Sequence, residues 1–215
     1  MLDVAALGAG YGRAQVLFGV SLQVAQGEVV ALLGRNGAGK SSTLKAVMGL
    51  LRPAAGEVRF DGRRIDSLES HEIARLGLGY VPEERRIFSD LTVAENLAVG
   101  RQPPRAGAAG WSDERLLALF PALGAMLARR AGTLSGGEQQ MLSIARTLAG
   151  NPRAILLDEP SEGLAPVVID QVARSILELK AAGVAVLLAE QSRAFARRVA
   201  DRSYTLEKGR IADGA

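Results

Sequence analysis

Short apolar runs alternate with helical patterns along much of the chain. The runs rich enough in branched residues to predict strands are Val29–Leu33, Leu78–Val81, Ala154–Leu157 and Val184–Ala189. Polar or glycine-rich sequence follows each run. This alternation predicts an α/β fold with a largely parallel sheet, and in such sheets ligand sites lie where the strands end.

Two regions depart from this pattern. The sequence up to about Phe60 mixes short strands and turns, which predicts a small antiparallel β layer. The segment from residue 89 to 150 has helical periodicity, few β-branched residues and a Pro/Gly-rich connection at Arg101–Glu114. We therefore expect one domain over residues 1–215, with a core of residues 1–88 and 151–215 and an inserted helical subdomain at 89–150.

Composition narrows the function classes only slightly. The 215 residues include no cysteine, so neither a disulfide nor a cysteine-bound metal is expected. The net charge of +3 comes from scattered arginines without a long basic block, which argues against a nucleic-acid partner. No apolar run is long enough for a membrane span and no signal peptide is recognisable, so a soluble intracellular protein is expected.

The first run is followed by a glycine-rich turn that opens a helix. Gly34, Gly39, Lys40 and Ser41 fit the pattern G-x-x-x-x-G-K-[ST]. The helix is predicted from apolar residues at helical spacing, which are Leu44, Val47, Met48 and Leu51. Such a turn directs backbone N–H groups and a helix N-terminus at phosphates, with Lys40 at the β- and γ-phosphates and the Ser41 hydroxyl on Mg²⁺. The expected nucleotide-binding residues here are Gly34, Arg35, Asn36, Gly37, Ala38, Gly39, Lys40, Ser41 and Ser42.

The stretch "AILLDEP" supplies two carboxylates at the end of a strand. Asp158 suits the Mg²⁺ shell, and Glu159 suits the base that polarises the attacking water. Successive side chains of a strand point in opposite directions, so the two carboxylates are expected to have different roles.

A second glycine turn, "LSGGEQQ", opens another helix about a hundred residues after the first turn. Ser135 and Glu138 fit a capping box, which is a sufficient structural explanation for those two residues alone. Gly136 and Gly137 weaken a first helical turn and expose its N–H groups, so an anion is the expected ligand.

Together, "GRNGAGKSS", "LSGGEQQ" and "AILLDEP" resemble the ATP-binding cassette ATPases over essentially the whole chain. The resemblance implies a phosphate-loop NTPase with a RecA-like parallel core that uses ATP and Mg²⁺. It implies that two cassettes meet head to tail, with Ser135, Gly136 and Gly137 of each closing over the nucleotide held by the other. On this view each turn is half of a site.

The same resemblance suggests roles for residues outside these motifs. Tyr11 matches the aromatic residue that stacks on adenine, with Val16 nearby. The loop "SEGLAP", from Ser161, matches the loop that communicates across the dimer. "LTVAENL", Leu91–Leu97, resembles the segment that opens the helical subdomain and contacts the membrane subunits.

Two positions depart from the usual pattern of the family. Glu83 stands where most cassettes have a glutamine that touches Mg²⁺ and water, and Gln191 stands where most have a histidine near the γ-phosphate. Gln191 can donate a hydrogen bond but cannot take a proton, which favours Glu159 as the base and predicts weak pH dependence from this position. Glu83 adds negative charge that Mg²⁺, Arg85 or Arg86 would have to offset. The one histidine, His71, is assigned to a helix surface.

Both replacements resemble the branch that powers bacterial uptake of branched-chain amino acids. The resemblance implies an ATPase subunit on the cytoplasmic face of the inner membrane. Its partners would be a second cassette, transmembrane permease subunits and, indirectly, a periplasmic binding protein. Three alternatives remain. The chain could serve an importer of urea, short amides or other small solutes, it could be a non-transport ATPase of the same superfamily, or it could be a nucleotide kinase or GTPase.

Overall fold

The computed structural model describes residues 1–105 and 110–212. Residues 106–109 of the predicted connection lie outside this range. The strands are β1 (Leu2–Tyr11), β2 (Ala14–Val24), β3 (Val29–Leu33), β4 (Pro53–Phe60), β5 (Arg63–Arg64), β6 (Leu78–Val81), β7 (Ala154–Asp158), β8 (Ala185–Glu190), β9 (Arg202–Glu207) and β10 (Arg210–Ile211). The helices are α1 (Lys40–Val47), α2 (Ser70–Leu76), α3 (Val93–Gly100), α4 (Asp113–Leu119), α5 (Pro121–Gly124), α6 (Gly136–Ala149), α7 (Pro166–Ala181) and α8 (Arg193–Val199), with a 3₁₀ turn at Ala131–Thr133.

The strands form two sheets, as the pattern predicts. The larger has the order β10-β9-β3-β8-β7-β6 and is parallel except for β10, which runs antiparallel to β9. The smaller is antiparallel, with the order β2-β1-β4-β5. The α/β class and the small antiparallel layer are both confirmed.

The central strands separate two cores. Every residue of β3, β7 and β8 is buried, and alternate side chains point to opposite faces of the sheet. On one face Val29 and Leu157 pack with residues of α6 and α7 such as Ile144. On the other face Val30 and Leu156 pack with α1 and the antiparallel sheet.

The region between residues 93 and 149 contains helices α3 to α6, in line with its predicted helical character. Its buried residues, among them Leu97, Phe120 and Leu142, belong to the same apolar cluster as the sheet residue Val186. Because this cluster is continuous, the helical subdomain over 89–150 stays a prediction as a separate unit.

Two element ends differ from the prediction. Helix α1 ends at Val47, four residues before Leu51, because Gly49 adopts a φ of 72° that turns the chain away; Leu51 is still buried. Strand β8 is shifted by one residue and ends at Glu190, since the N–H of Val184 bonds to the carbonyl of Leu179 at the end of α7. His71 is exposed on α2, as predicted. Within the described ranges, no helix has the length and apolar character needed to cross a bilayer.

Candidate functional site

The glycine turn connects β3 directly to α1. The N–H of Gly34 bonds to the carbonyl oxygen of Glu190 at 3.2 Å, which holds the start of the turn against the end of β8. Gly37 and Gly39 have φ values of 79° and 108°. L-residues with a side chain rarely adopt such values, so the turn depends on these glycines.

Lys40 lies folded inside this turn and is only 3% exposed. Its Nζ donates to the carbonyl oxygens of Gly34 at 2.9 Å and Arg35 at 3.2 Å. The same nitrogen forms an ion pair with Glu159 Oε1 at 2.9 Å. The ammonium group is therefore held at the centre of the loop, where a phosphate could replace the carbonyls and the carboxylate.

Asp158 ends β7 with a buried carboxylate that accepts two hydroxyl hydrogen bonds. Ser41 Oγ donates to Oδ1 at 2.9 Å, and the Tyr80 hydroxyl donates to Oδ2 at 3.1 Å. Burial raises the pKa of Asp158, and these two hydrogen bonds oppose that shift. Burial also raises the pKa of Tyr80, so its hydroxyl remains a donor.

Glu159 follows in a left-handed conformation, with φ of 46°, and its N–H bonds to the carbonyl of Ala189 at 3.0 Å. Burial raises the pKa of Glu159, but hydrogen bonds with Glu162 and Lys40 outweigh this and lower it overall. The hydrogen bond and charge of Glu159 raise the pKa of Glu162 to about 7. The ionised form of Glu159 is therefore favoured, whereas the neighbouring Glu162 keeps its proton to a higher pH than an ordinary glutamate.

The two unusual residues lie at the edges of this cluster. Gln191 is exposed and, together with residues 34–38 of the glycine turn, lines a cavity of 630 Å³. Glu83 is exposed after β6, and its negative charge contributes, after burial, to raising the pKa of Asp158. Both residues therefore face the cluster, but the structure shows no hydrogen bond from either side chain among the described residues.

Tyr11 ends β1 on the outer side of the same turn. Its ring is 51% exposed, and its hydroxyl lies 3.4 Å from Ser42 Oγ at the start of α1. Val16 lies on β2, is half-buried and packs against the apolar cluster beneath the antiparallel sheet. An exposed ring beside the glycine turn is suitably placed for stacking on a base.

The second glycine turn lies outside the cluster around the first turn. Ser135 caps α6 in the predicted capping box: its Oγ accepts from Glu138 N at 3.3 Å, and Glu138 Oε2 accepts from Ser135 N at 2.7 Å. In the described part of the chain, no hydrogen bond or ion pair joins residues 135–137 to the first turn. One chain therefore presents two separate glycine turns, each at the start of a helix.

Packing adds a second reason for the glycines at this turn. A side chain at Gly137 would come within 2.8 Å of Val168 Cγ2 on α7, and one at Gly136 within 2.8 Å of an Arg85 guanidinium nitrogen. Gly137 thus allows close contact between α6 and α7. The capping pattern in the sequence did not predict this contact between α6 and α7.

The cluster around the first turn has the chemistry of phosphoryl transfer. A buried ammonium, a hydroxyl and two carboxylates with different environments meet at the ends of β3, β7 and β8. Residues 1–105 and 110–212 contain no group of three or more His, Cys, Asp or Glu side chains arranged to hold a metal by themselves. The Asp158 carboxylate and the Ser41 hydroxyl are oxygen donors of the kind through which proteins usually hold Mg²⁺ together with substrate phosphates.

The family model described as "ABC transporter" matches residues 17–162. The chain belongs to the ABC transporter family. It is 47% identical to the high-affinity branched-chain amino acid transport ATP-binding protein BraG of Pseudomonas aeruginosa, over 94% of this chain and 86% of that protein. It is 39% identical to the lipopolysaccharide export system ATP-binding protein LptB of Acidithiobacillus ferridurans, over 98% and 88%.

Solved cassettes share the fold. A dimeric ATP-binding cassette in a post-hydrolysis state bound to ADP and Pi is 26% identical and covers 98% of this chain and 96% of its own, with a TM-score of 0.84. The chain is therefore an ATPase of the ABC class, and the phosphate-loop NTPase fold is confirmed.

Three residues of this cassette's site were not foreseen. Tyr80 and Glu162 contact the two acidic residues that the sequence does point to, and Glu190 lies buried at the end of β8. A glutamate at the end of a wholly apolar run was the one available signal for Glu190. Tyr80 carried none, since a tyrosine in a strand is ordinary.

Proposed function

We propose that this cassette is the ATP-hydrolysing subunit of a bacterial importer for branched-chain amino acids, acting at the cytoplasmic face of the membrane. The proposal that ATP drives dimerisation rests on the separation of the two glycine turns. Lys40 and Glu159 form one half of a catalytic site, and Ser135 lies at the other half with no contact between them.

The proposed roles follow from the geometry. Lys40 binds the β- and γ-phosphates once they replace its loop carbonyls, and Tyr11 and Val16 contact the base. Ser41 and Asp158 would hold Mg²⁺, with Glu83 at its outer edge, and the ion would neutralise phosphate charge. Glu159 accepts the proton of the attacking water, and Gln191 donates a hydrogen bond to the γ-phosphate.

The second anion turn completes the site from a facing cassette. The free N–H groups at the start of α6 carry partial positive charge, which suits the γ-phosphate on the partner. A nucleotide shared in this way stabilises the closed pair, and hydrolysis removes the shared group, so the pair opens. This alternation would drive the permease subunits.

The solute assignment is supported by the greater identity to the branched-chain amino acid protein than to the lipopolysaccharide export protein, and by Glu83 and Gln191. The test is uptake of labelled leucine, isoleucine and valine by cells that carry only the Glu159→Gln chain. Urea uptake and surface lipopolysaccharide are measured in the same cells. Loss of branched-chain uptake alone is expected; loss of either other activity with normal leucine uptake would overturn the assignment.

A groove between α2, α3 and α6 is the proposed permease-docking surface. It has a volume of 540 Å³ and presents three exposed apolar side chains, Leu50, Phe88 and Val99. Arg105 and Arg146 also line it, and no acidic residue does so among the described lining residues. Such a groove fits a cytoplasmic permease helix that carries apolar residues and a carboxylate.

Val99→Glu is expected to detach the permease subunits. Val99 is 56% exposed, so the change costs little stability, but it places a charge where an apolar contact is needed. We expect retention of permease subunits in co-purification to fall about ten-fold or more, with basal ATP hydrolysis unchanged. Leu177→Glu, on the exposed side of α7, is the matched control and should retain them. Equal retention by both variants would contradict this docking surface.

Tyr80→Phe is expected to weaken the response to Mg²⁺. The change removes the donor to Asp158 Oδ2 and leaves the rest of the ring in place. A lost partner of a metal-binding carboxylate typically costs about ten-fold or more in metal affinity. The measurement is ATP turnover against Mg²⁺ concentration. Tyr204→Phe, which removes a hydroxyl bonded to Arg202, is the control and should leave the Mg²⁺ dependence unchanged; an unshifted Tyr80→Phe curve would refute this role.

A further inference from the structure

Glu190 carries a buried carboxylate beneath the proposed nucleotide site. The residue ends β8 and is 2% exposed. Burial raises its pKa, and hydrogen bonds from Ser161 and Ser192 oppose that shift. Burying a carboxylate costs folding free energy unless the group is well hydrogen-bonded, so the stability of Glu190 in this position depends on its hydrogen-bond partners.

Four donors surround the carboxylate, two on each oxygen. Oε1 accepts from the N–H of Ser161 at 3.2 Å and from its hydroxyl at 2.6 Å. Oε2 accepts from the N–H of Gln191 at 3.1 Å and of Ser192 at 3.2 Å. Each oxygen therefore serves a different segment of the chain.

The backbone of Glu190 adds a third segment. Its carbonyl oxygen accepts the N–H of Gly34 at 3.2 Å, at the start of the phosphate-binding turn. Glu190 thus connects three segments of the chain: the phosphate-binding turn, the loop from Ser161 and the segment that carries Gln191.

Only an acidic side chain satisfies this arrangement. A carboxylate accepts at both oxygens, whereas an amide accepts at one oxygen and presents N–H donors at the other position. Glutamine at this position would therefore fill the same space but place an NH₂ group against the donors of one segment. An apolar residue would leave all four donors without this acceptor.

We propose that Glu190 is a positioning residue for ATP hydrolysis, which fixes Gln191 and the loop from Ser161 in a single arrangement. A partner cassette that presses on the loop then determines where Gln191 lies relative to the γ-phosphate. This inference rests on the role proposed above for Gln191 and on the resemblance of the loop from Ser161 to the loop that communicates across the dimer.

The test is steady-state ATP hydrolysis by purified Glu190→Gln protein. We expect kcat to fall about ten-fold, as for loss of one charge-assisted hydrogen bond, with KM for ATP within about two-fold of the parent value. KM is spared because Lys40 and the glycine turn remain. A kcat within about two-fold of the parent would overturn the proposal.

A double-mutant cycle between Ser161→Ala and Gln191→Ala tests the connection even where Glu190→Gln folds poorly. Ser161 and Gln191 both bond to the Glu190 carboxylate, and no hydrogen bond joins the two directly in the described residues, so Glu190 is the connection that the structure shows between them. We expect the double variant to be no slower than the slower single variant. Effects on kcat that multiply would overturn the proposal.

Two controls separate the possible failures. Ser175→Ala removes a buried hydrogen bond to Val172 O at 2.7 Å in α7, away from the site, and should lower Tm with kcat unchanged. Glu159→Gln is assayed alongside. Normal turnover in that variant would refute the site assignment itself, whereas slow turnover there with normal turnover in Glu190→Gln would refute only the role of Glu190.

Discussion

Glu159→Gln is expected to bind ATP, hydrolyse it at least about a hundred-fold more slowly and accumulate as an ATP-bound dimer. An amide cannot take the proton of the attacking water, and loss of a general base typically costs 10²–10⁴-fold. Binding should persist, because the substitution removes the negative charge that holds Lys40 Nζ at 2.9 Å and so leaves this ammonium freer for phosphates. Turnover is measured together with the mass of the complex by light scattering in ATP and in ADP.

Glu178→Gln is the matched control for this prediction. Glu178 is exposed on α7, away from the site, and the same chemical change there should leave turnover and mass unaltered. Near-normal hydrolysis by Glu159→Gln would remove Glu159 from the role of base. Slow hydrolysis without an ATP-dependent increase in mass would instead contradict the shared site.

Ser135→Arg is expected to abolish dimer formation by ATP while leaving nucleotide binding to the single subunit within about two-fold of the parent. The exposed start of α6 would carry a bulky side chain at the place where the facing nucleotide is proposed to lie, whereas the phosphate-binding turn is untouched. ATP turnover should fall about a hundred-fold as a consequence, because each site lacks its second half. Nucleotide affinity is measured with a fluorescent ATP analogue and dimerisation by light scattering.

The substitution also removes a helix cap, which by itself costs about 1 kcal/mol of stability. Ser112→Arg controls for this, since Ser112 caps α4 in the same way and its Oγ accepts from Arg115 N at 3.2 Å. This variant should lose similar stability and still dimerise. Unchanged ATP-dependent dimerisation of Ser135→Arg would contradict the proposal that α6 contacts the nucleotide of a second cassette.

The sheet core was predictable because its strands are buried on both faces. Val29–Leu33 matches β3 residue for residue and is buried throughout, as expected of a central strand in a parallel sheet. Leu78–Val81 matches β6 in the same way, although its Gly79 and Tyr80 are only half-buried. The end of α1 was not predictable from periodicity. Leu51 continues the apolar spacing but reaches the core from a turn, after Gly49 has ended the helix.

The candidate site was predictable where short sequence motifs identify the residues for a given chemistry. Lys40, Ser41, Asp158 and Glu159 lie together in the structure, and their catalytic and metal-binding roles stay predictions. The proposed role of Glu190 could not be predicted, because it depends on a contact with Ser161, which lies 29 residues away in the sequence and approaches Glu190 only in the folded chain. The relation between the two glycine turns needs a second molecule, so neither the sequence nor a single chain displays it.

The ion pair between Lys40 and Glu159 has a consequence for a subunit without nucleotide. Both side chains are almost fully enclosed, so neither charge gains much from water and each satisfies the other. In the proposed mechanism, an incoming triphosphate would compete for the ammonium, and the carboxylate would then be free to accept the proton of the attacking water. The cation proposed to bind nucleotide would thus also hold the proposed base in place while the site is empty.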